Sequence, residues 1–201
     1  MNNMVKIKIC GLTREVDIDC VNELKPDCIG FVFAKSRRQV TPERAAELKR
    51  RLAPDIKSVG VFVREENEKI ISLVKSGVID VIQLHGGEDE ETVSLLKREC
   101  GCPIIRAVSI GNEDVAELEK SQADFLLLDN GAGGTGKTFD WSLINRINKP
   151  FFLAGGLNID NVMQGIERFS PYGVDISGGV ETGGVKDPAK ISEIIRRIRN
   201  E

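Results

Sequence analysis

Aromatic and imidazole side chains are scarce in this 201-residue sequence, which has one Trp, one Tyr and one His. The chain therefore offers little ring surface for stacking nucleic-acid bases. Its net charge of -3 gives no basic excess toward nucleic acid or an anionic membrane. A single histidine and cysteines without a C-x-x-C pair form no zinc-binding pattern. We expect neither a nucleic-acid partner nor a metal site.

Long apolar runs are also absent. No run approaches the roughly 18 residues that a membrane span needs, and residues 1–10 lack the apolar core of a signal peptide. Five cysteines stand at positions 10, 20, 28, 100 and 102. An odd set, unclustered apart from Cys100-Gly-Cys102, is typical of free thiols in a reducing compartment. We expect a cytoplasmic protein that does not bind membranes.

Short apolar, β-branched runs alternate with helical patterns along the whole chain. The predicted strands are 4–10, 28–33, 58–63, 78–84, 103–108, 124–129, 150–154 and 172–177. The predicted helices are 14–24, one that begins at Thr41-Pro42, then 66–75, 88–99, 112–120, 141–147, 159–169 and 188–199. Eight strand–helix units predict a parallel (β/α)8 TIM barrel. An open doubly wound sheet is the alternative fold. The even spacing of the strand–helix units predicts one domain over residues 1–201, with a poorly ordered start at 1–3.

In a (β/α)8 barrel the active site lies at the carboxyl ends of the strands. Cys10 ends the first predicted strand and Asp129 ends the sixth, on opposite sides of the barrel. A thiolate can remove a proton and a carboxylic acid can donate one, so the two residues are candidates for acid–base catalysis. Both also have plain structural interpretations, since cysteine is often buried and a strand-end aspartate often caps a turn.

Glycines follow the last two strands, in Gly155-Gly156 and in Ser177-Gly178-Gly179. Glycines let backbone N–H groups approach an anion closely, and this part of the fold commonly binds phosphate. Glycines that only turn the chain are the alternative. The two loops together favour a phosphate site.

A competing motif follows the sixth strand. Residues 131–138 (GAGGTGKT) match the phosphate-binding pattern G-x-x-x-x-G-K-[ST], which alone would indicate ATP or GTP. The residues after the motif do not begin a long helix at once, and only two predicted strands remain. The motif also falls within a regular series of units, so we do not expect a nucleotide site.

Several segments together resemble the phosphoribosylanthranilate isomerases. The segments are 8–13 (KICGLT), 30–33 (GFVF), 36–38 (SRR), 59–63 (VGVFV), 83–86 (QLHG), 127–129 (LLD), 133–141 (GGTGKTFDW), 154–157 (AGGL) and 174–177 (VDIS). They appear in the family's order and span residues 6–181. The first and seventh are individually specific, and the seventh accounts for the apparent nucleotide motif.

The resemblance implies an Amadori rearrangement in tryptophan biosynthesis, which converts N-(5-phosphoribosyl)anthranilate to 1-(2-carboxyphenylamino)-1-deoxyribulose 5-phosphate. It implies that Asp129 is the general acid and Cys10 the general base, without a cofactor. It also implies that Arg38 binds the anthranilate carboxylate, since a guanidinium suits a planar anion. The loops with Gly155, Gly156 and Ser177 would bind phosphate.

Some assignments stay open at this stage. Arg37 replaces Arg38 if the alignment slips by one residue, and His85 has either a structural or a ligand-binding role. The family commonly has serine where Gly178 stands, so we expect altered affinity with retained function. Lys137 reaches an anion or secures its own loop.

Alternative functions are an aminoaldose isomerase of histidine biosynthesis and a non-catalytic phosphosugar-binding barrel. The histidine-pathway enzymes use paired aspartates, whereas Cys10 stands at the end of the first strand here. The two proton-transfer groups argue against a barrel that only binds. The expected partner is a small phosphosugar substrate, and the chain is expected to be a monomer or a homodimer.

Overall fold

Eight parallel strands close into a barrel in the computed structural model, which describes residues 4–109, 115–129 and 147–200. The strands are β1 (Lys6–Cys10), β2 (Cys28–Val32), β3 (Lys57–Phe62), β4 (Val81–Leu84), β5 (Ile104–Ser109), β6 (Phe125–Asp129), β7 (Phe151–Leu153) and β8 (Gly173–Ile176). Each strand pairs with the next, and β8 pairs with β1 with Lys6 opposite Gly173. The predicted barrel is confirmed, and the open-sheet alternative is wrong.

Seven helices of the described residues lie around the outside of the barrel. They are α1 (Glu15–Leu24), α2 (Pro42–Arg51), α3 (Asn67–Lys75), α4 (Glu90–Cys100), α5 (Val115–Lys120), α6 (Val162–Phe169) and α7 (Pro188–Arg199). Among these described helices, none is both long and apolar enough to cross a membrane. Residues 141–146 of the predicted helix 141–147, the motif at 131–138 and residues 1–3 lie outside the described part of the chain.

Local interactions explain where the elements begin. The Thr41 hydroxyl accepts a hydrogen bond from the Arg44 amide at 3.2 Å, so α2 begins as the sequence predicts. The predicted fourth strand began too early, because the amides of Val78 and Ile79 donate to the Leu73 carbonyl at the end of α3. The apolar run therefore covers a helix terminus as well as the strand.

The helices α4 and α6 begin later than predicted. Asp89 caps α4 by accepting from the Thr92 amide at 2.9 Å, so the helix begins at Glu90. Before α6, the Asn161 carboxamide oxygen accepts from the Asn158 amide at 2.9 Å. The polar turn that this bond closes delays the helix to Val162.

Strand alternation divides the apolar residues into two layers. The larger layer lies between strands and helices and includes Ile7 and Ile9 of β1. The smaller layer fills the barrel interior and includes Val59, Leu127 and Phe152. Because Ile7 and Ile9 face the helices, Lys8 and Cys10 face the interior.

Aromatic rings pack at the barrel end opposite the carboxyl ends of the strands. The rings of Phe125 and Tyr172 lie 4.6 Å apart between centroids, and those of Phe152 and Tyr172 lie 5.5 Å apart. A Cβ at Gly173 would come within 2.5 Å of the Phe152 ring, so glycine is required there. This cluster uses the chain's one tyrosine and two of its eight phenylalanines.

A small hairpin between β8 and α7 was not predicted. Its strands are β9 (Glu181–Thr182) and β10 (Val185–Lys186), which pair antiparallel across Gly183 and Gly184. Both glycines have positive φ, at 59° and 84°, as the tight turn requires. The hairpin places two charged side chains beside the mouth of the barrel.

Candidate active site

The predicted catalytic pair lies at the carboxyl ends of two strands, as expected. Cys10 is the last residue of β1 and Asp129 is the last residue of β6. Two strands, β7 and β8, separate them around the barrel. His85 follows β4 and Ser177 follows β8, so these polar groups all belong to one end of the barrel.

Cys10 is nearly inaccessible, with 7% of its surface exposed. The neighbouring strand makes room for its thiol, because a Cβ at Gly30 would lie 2.6 Å from Cys10 Sγ. Burial raises the pKa of this thiol, and the negative charge of Asp175 acts in the same direction. The positive charges of Lys8 and Lys186 act to lower it.

An ion pair lies inside the barrel, just below Cys10. Lys8 Nζ lies 2.9 Å from Asp175 Oδ2, and the two side chains are 0% and 9% exposed. The residues are direct neighbours in the β1–β8 register. Burial alone would lower the pKa of Lys8, but Asp175 and the Cys10 sulfur together raise it. Lys8 therefore stays charged and places a cation beside the thiol.

The loop after β8 is tied to β1 and to the hairpin. Ser177 Oγ donates to the Cys10 carbonyl at 2.9 Å. Lys186 Nζ donates to the Ser177 carbonyl at 2.9 Å and lies 2.6 Å from Glu181 Oε1. Burial lowers the pKa of Lys186, although Glu181 acts against this. These contacts hold Ser177 in a defined position at the strand end.

Glu181 binds both candidate arginines. Arg38 donates from Nε to Oε1 at 2.6 Å and from Nη2 to Oε2 at 2.9 Å, a bidentate pair. Arg37 donates from Nη2 to Oε2 at 2.6 Å. Burial acts to raise the pKa of Glu181, but hydrogen bonds from Arg38 and Lys186 lower it to about 2.

The structure distinguishes Arg38 from Arg37 by burial. The Arg38 side chain is 17% exposed and the Arg37 side chain 56% exposed. Arg38 also packs over Gly11, where a Cβ would lie 2.5 Å from Arg38 Cδ. Gly11 has a φ of +84° and directly follows Cys10. Arg38 thus belongs to the same end of β1 as the thiol, whereas Arg37 reaches the solvent.

The glycine loops after β7 and β8 approach each other closely. A Cβ at Gly179 would lie 1.9 Å from the Leu157 carbonyl oxygen, so only glycine fits. Gly155 and Gly156 both have positive φ, at 84° and 71°. At Gly178 a Cβ would lie 3.7 Å from Arg38 Nη2, which is ordinary contact. The surrounding atoms therefore leave room for a larger side chain than glycine at position 178.

Asp129 faces His85 across the mouth. His85 Nε2 lies 3.5 Å from Asp129 Oδ2, and the side chains are 33% and 15% exposed. The other carboxylate oxygen, Asp129 Oδ1, is buried and receives no hydrogen bond from the described residues. On the far side of the ring, Gln83 Nε2 lies 3.1 Å from His85 Nδ1. Asp129 thus has one oxygen beside the imidazole and one without a protein partner.

Sequence reasoning missed five polar residues of this region, namely Lys8, Gln83, Asp175, Glu181 and Lys186. One signal was present for Lys8, because a lysine between Ile7 and Ile9 on an interior-facing register must find a buried partner. Glu181 and Lys186 lie on the unpredicted hairpin. Of the other predicted groups, Lys137 lies outside the described residues.

Comparisons with known proteins identify the family of this chain. The model of the family N-(5'phosphoribosyl)anthranilate (PRA) isomerase matches residues 7–197. The N-(5'-phosphoribosyl)anthranilate isomerase of Endomicrobium trichonymphae is 45% identical over 201 residues, covering 98% of this chain and 100% of that protein.

Two solved isomerase structures are similar to this chain over nearly its whole length. One is a phosphoribosyl anthranilate isomerase in complex with reduced 1-(o-carboxyphenylamino)-1-deoxyribulose 5-phosphate, with a TM-score of 0.84, 36% identity, and coverage of 98% of this chain and 100% of that one. The other, from Thermotoga maritima, shows generated monomers of a dimeric enzyme, with a TM-score of 0.85, 36% identity and the same coverages. The chain belongs to the N-(5'-phosphoribosyl)anthranilate isomerase family.

Proposed function

We propose that this phosphoribosylanthranilate isomerase converts N-(5-phosphoribosyl)anthranilate to 1-(2-carboxyphenylamino)-1-deoxyribulose 5-phosphate with Asp129 as acid and Cys10 as base. The observation that carries the assignment is the position of these two proton-transfer groups, at the ends of β6 and β1 around one barrel mouth. The reaction needs one proton delivered to the ring oxygen and one removed from C2′, two atoms that are both bonded to C1′. Both requirements can be met by groups on opposite sides of the mouth.

The first step is ring opening. Asp129 donates a proton to the furanose ring oxygen, the bond from that oxygen to C1′ breaks, and the anthranilate nitrogen forms a Schiff base with C1′. Asp129 Oδ1 suits this role, because it is buried and none of the described residues donates to it. The substrate oxygen can take that place. Asp129 ends the step as a carboxylate.

The second step is proton abstraction at carbon. The Cys10 thiolate removes the C2′ proton, the electron pair moves into the C1′–C2′ bond, and the resulting enolamine tautomerises to the ketone. Burial keeps Cys10 protonated to a higher pH than a free thiol. The Lys8 cation acts in the opposite direction and stabilises the thiolate that accepts the C2′ proton. These proton transfers require no cofactor.

Arg38 is the proposed ligand of the anthranilate carboxylate. Glu181 occupies Nε and Nη2 of this guanidinium, and within the described residues nothing accepts from Nη1. Nη1 can therefore donate to a substrate anion while Glu181 fixes the plane of the group. Its burial beside Gly11 places it nearer to Cys10 than the exposed Arg37.

The proposed phosphate ligands are the loops after β7 and β8, with Gly155, Gly156, Ser177, Gly178 and Gly179. Their support is the close approach of the two loops, which only glycine at 179 allows. The side chain of Ser177 is held by its bond to the Cys10 carbonyl, so its loop is fixed relative to the catalytic strand.

The cellular setting of the chain also belongs to this proposal. The substrate is a small phosphosugar. The chain acts as a monomer or a homodimer, and size-exclusion chromatography with light scattering distinguishes the two by their mass. All five cysteines are free thiols, which favours a cytoplasmic location.

The test follows the fluorescence of phosphoribosylanthranilate on addition of the purified chain, coupled to the next enzyme of the pathway. We expect a rapid loss of fluorescence and formation of the coupled product. Equal decay in the presence and absence of the chain would overturn the proposal. A parallel ATP titration tests the motif at 131–138, and we expect no binding.

A further inference from the structure

Gln83, His85 and Asp129 form a line of polar side chains that the two proposed chemical steps do not fully use. Gln83 is 1% exposed, and it lies on β4 between Ile82 and Leu84, which pack toward the helices. Its amide therefore faces the barrel interior. His85 follows two residues later on the same face, at the mouth, and its backbone amide donates to the Phe62 carbonyl at 2.8 Å. Both ends of this short segment are held in place.

The contact between Gln83 and His85 sets the position of the imidazole proton. The Gln83 amide nitrogen lies 3.1 Å from His85 Nδ1. With its nitrogen on this side, the amide donates to Nδ1, which then carries no proton, while Gln83 Oε1 has no partner among the described residues. The proton of the neutral ring is then on Nε2, which faces Asp129 Oδ2 at 3.5 Å.

Building on the proposed function, we propose that Gln83 is a positioning residue that holds the neutral His85 ring as the Nε2–H tautomer, with this N–H facing Asp129 Oδ2. A second proton on Nδ1 would break the bond to Gln83 and create an imidazolium beside Asp129. A cation at that distance stabilises the carboxylate and so favours loss of the proton before substrate binds.

The Nε2–H tautomer can also stabilise Asp129 after it has transferred its proton. Once Asp129 has given its proton to the ring oxygen, a negative charge develops on the carboxylate. The Nε2–H group already faces Oδ2 and can shorten its contact as that charge appears. His85 thus stabilises the carboxylate after the transfer.

Other charged groups near this segment lie in its flanking loops. Arg64, after β3, donates from Nε to the Gly86 carbonyl at 3.1 Å. Glu88, before α4, accepts from the Gly86 amide at 2.8 Å and from the Arg64 amide at 2.8 Å. These two groups have opposite charges, and their contacts are to Gly86 and to each other. Among the described side chains, the recorded contacts of the His85 ring are to Gln83 and Asp129.

The test uses the fact that the chain contains one histidine, so ¹⁵N NMR of the imidazole has a single source. In the full-length protein we expect the neutral ring to have an unprotonated Nδ1 and a protonated Nε2. In Gln83→Glu, a carboxylate replaces the amide donor. Because a carboxylate accepts hydrogen bonds, it favours a protonated Nδ1. We expect a doubly protonated ring near neutral pH in that variant.

Activity supplies a second readout. Gln83→Glu should lower kcat by about tenfold or more, since each unit of pKa mismatch is worth a factor of ten, while KM changes little. Gln122→Glu is the matched control, because Gln122 is exposed beyond α5 and receives the same charge change. Its spectrum and kcat should equal those of the wild type. Gln83→Met removes the donor without adding charge, and its ring should become a mixture of the two tautomers.

A wild-type ring with its proton on Nδ1 would overturn the proposal, since the amide oxygen would then be the group beside it. So would an unchanged single tautomer in Gln83→Met, or an unchanged kcat in a Gln83→Glu protein whose ring is doubly protonated. If Gln83→Glu does not fold, the Gln83→Met spectrum decides the question alone. The tautomer is measured without substrate, so it remains informative even if the proposed reaction is not observed.

Discussion

The carboxylate of Glu181 should contribute pH-dependent stability that can be isolated by one substitution. Its pKa falls from an ordinary 4.5 to about 2, because Arg38 and Lys186 bind its charged form despite its burial. This lowering corresponds to about 3 kcal/mol at neutral pH, at 1.36 kcal/mol per unit. The folded pKa is below the unfolded one, so this stability is present above about pH 4.5 and is lost as the pH falls toward 2. Near pH 3, about 2 kcal/mol of it is gone.

Urea unfolding of the wild type and of Glu181→Gln measures this directly. At pH 7 the variant should be less stable by about 3 kcal/mol or more, since Lys186 is left buried without its partner. By pH 3 the difference between the two proteins should shrink to about 1 kcal/mol. Glu68→Gln, on the exposed surface of α3, is the control and should show a small, constant difference. A Glu181→Gln difference that does not change with pH would refute the reasoning.

Three further predictions concern the barrel mouth. Gly30→Ala places a Cβ 2.6 Å from Cys10 Sγ. We therefore expect a stability loss of about 1–3 kcal/mol in urea unfolding and a large fall in kcat. An unchanged kcat would contradict the close packing of Gly30 against Cys10. Arg38→Lys should raise KM at least about tenfold, because lysine lacks the planar donor pair of arginine. Arg37→Lys, at an exposed site, should change KM little. Equal effects of the two substitutions in steady-state kinetics would reject Arg38 as the carboxylate ligand. Gly178→Ser should fold with unchanged thermal stability and keep kcat, because its Cβ has ordinary clearance, and only KM should move.

The barrel itself could be predicted from the sequence because each strand is a separate apolar run. The register of β1 could be read too, since Ile7 and Ile9 alternate with Lys8 and Cys10. The fourth strand shows the limit of this signal. Val78 and Ile79 are apolar and buried, yet their amides bond to the end of α3. Hydrophobicity reports burial, and it does not report which backbone group an amide finds.

The positions of Cys10 and Asp129 at strand ends could be predicted from the sequence, but the groups around them could not. Lys8 finds Asp175 at a separation of 167 residues, and only the closure of the barrel brings them together. Glu181 and Lys186 lie on strands of two residues, too short to show any alternation. Long-range pairing and short hairpins therefore account for most of what the sequence did not reveal about the site.

In the proposed reaction, Asp129 supplies a proton and Cys10 removes one. The most direct measurement is the turnover of phosphoribosylanthranilate by Asp129→Asn and Cys10→Ala, each checked for a wild-type unfolding transition. Proton transfer by a placed group contributes about 10²–10⁴-fold, so each variant should lose at least about a hundredfold in kcat. Near-normal turnover by either folded variant would contradict the account.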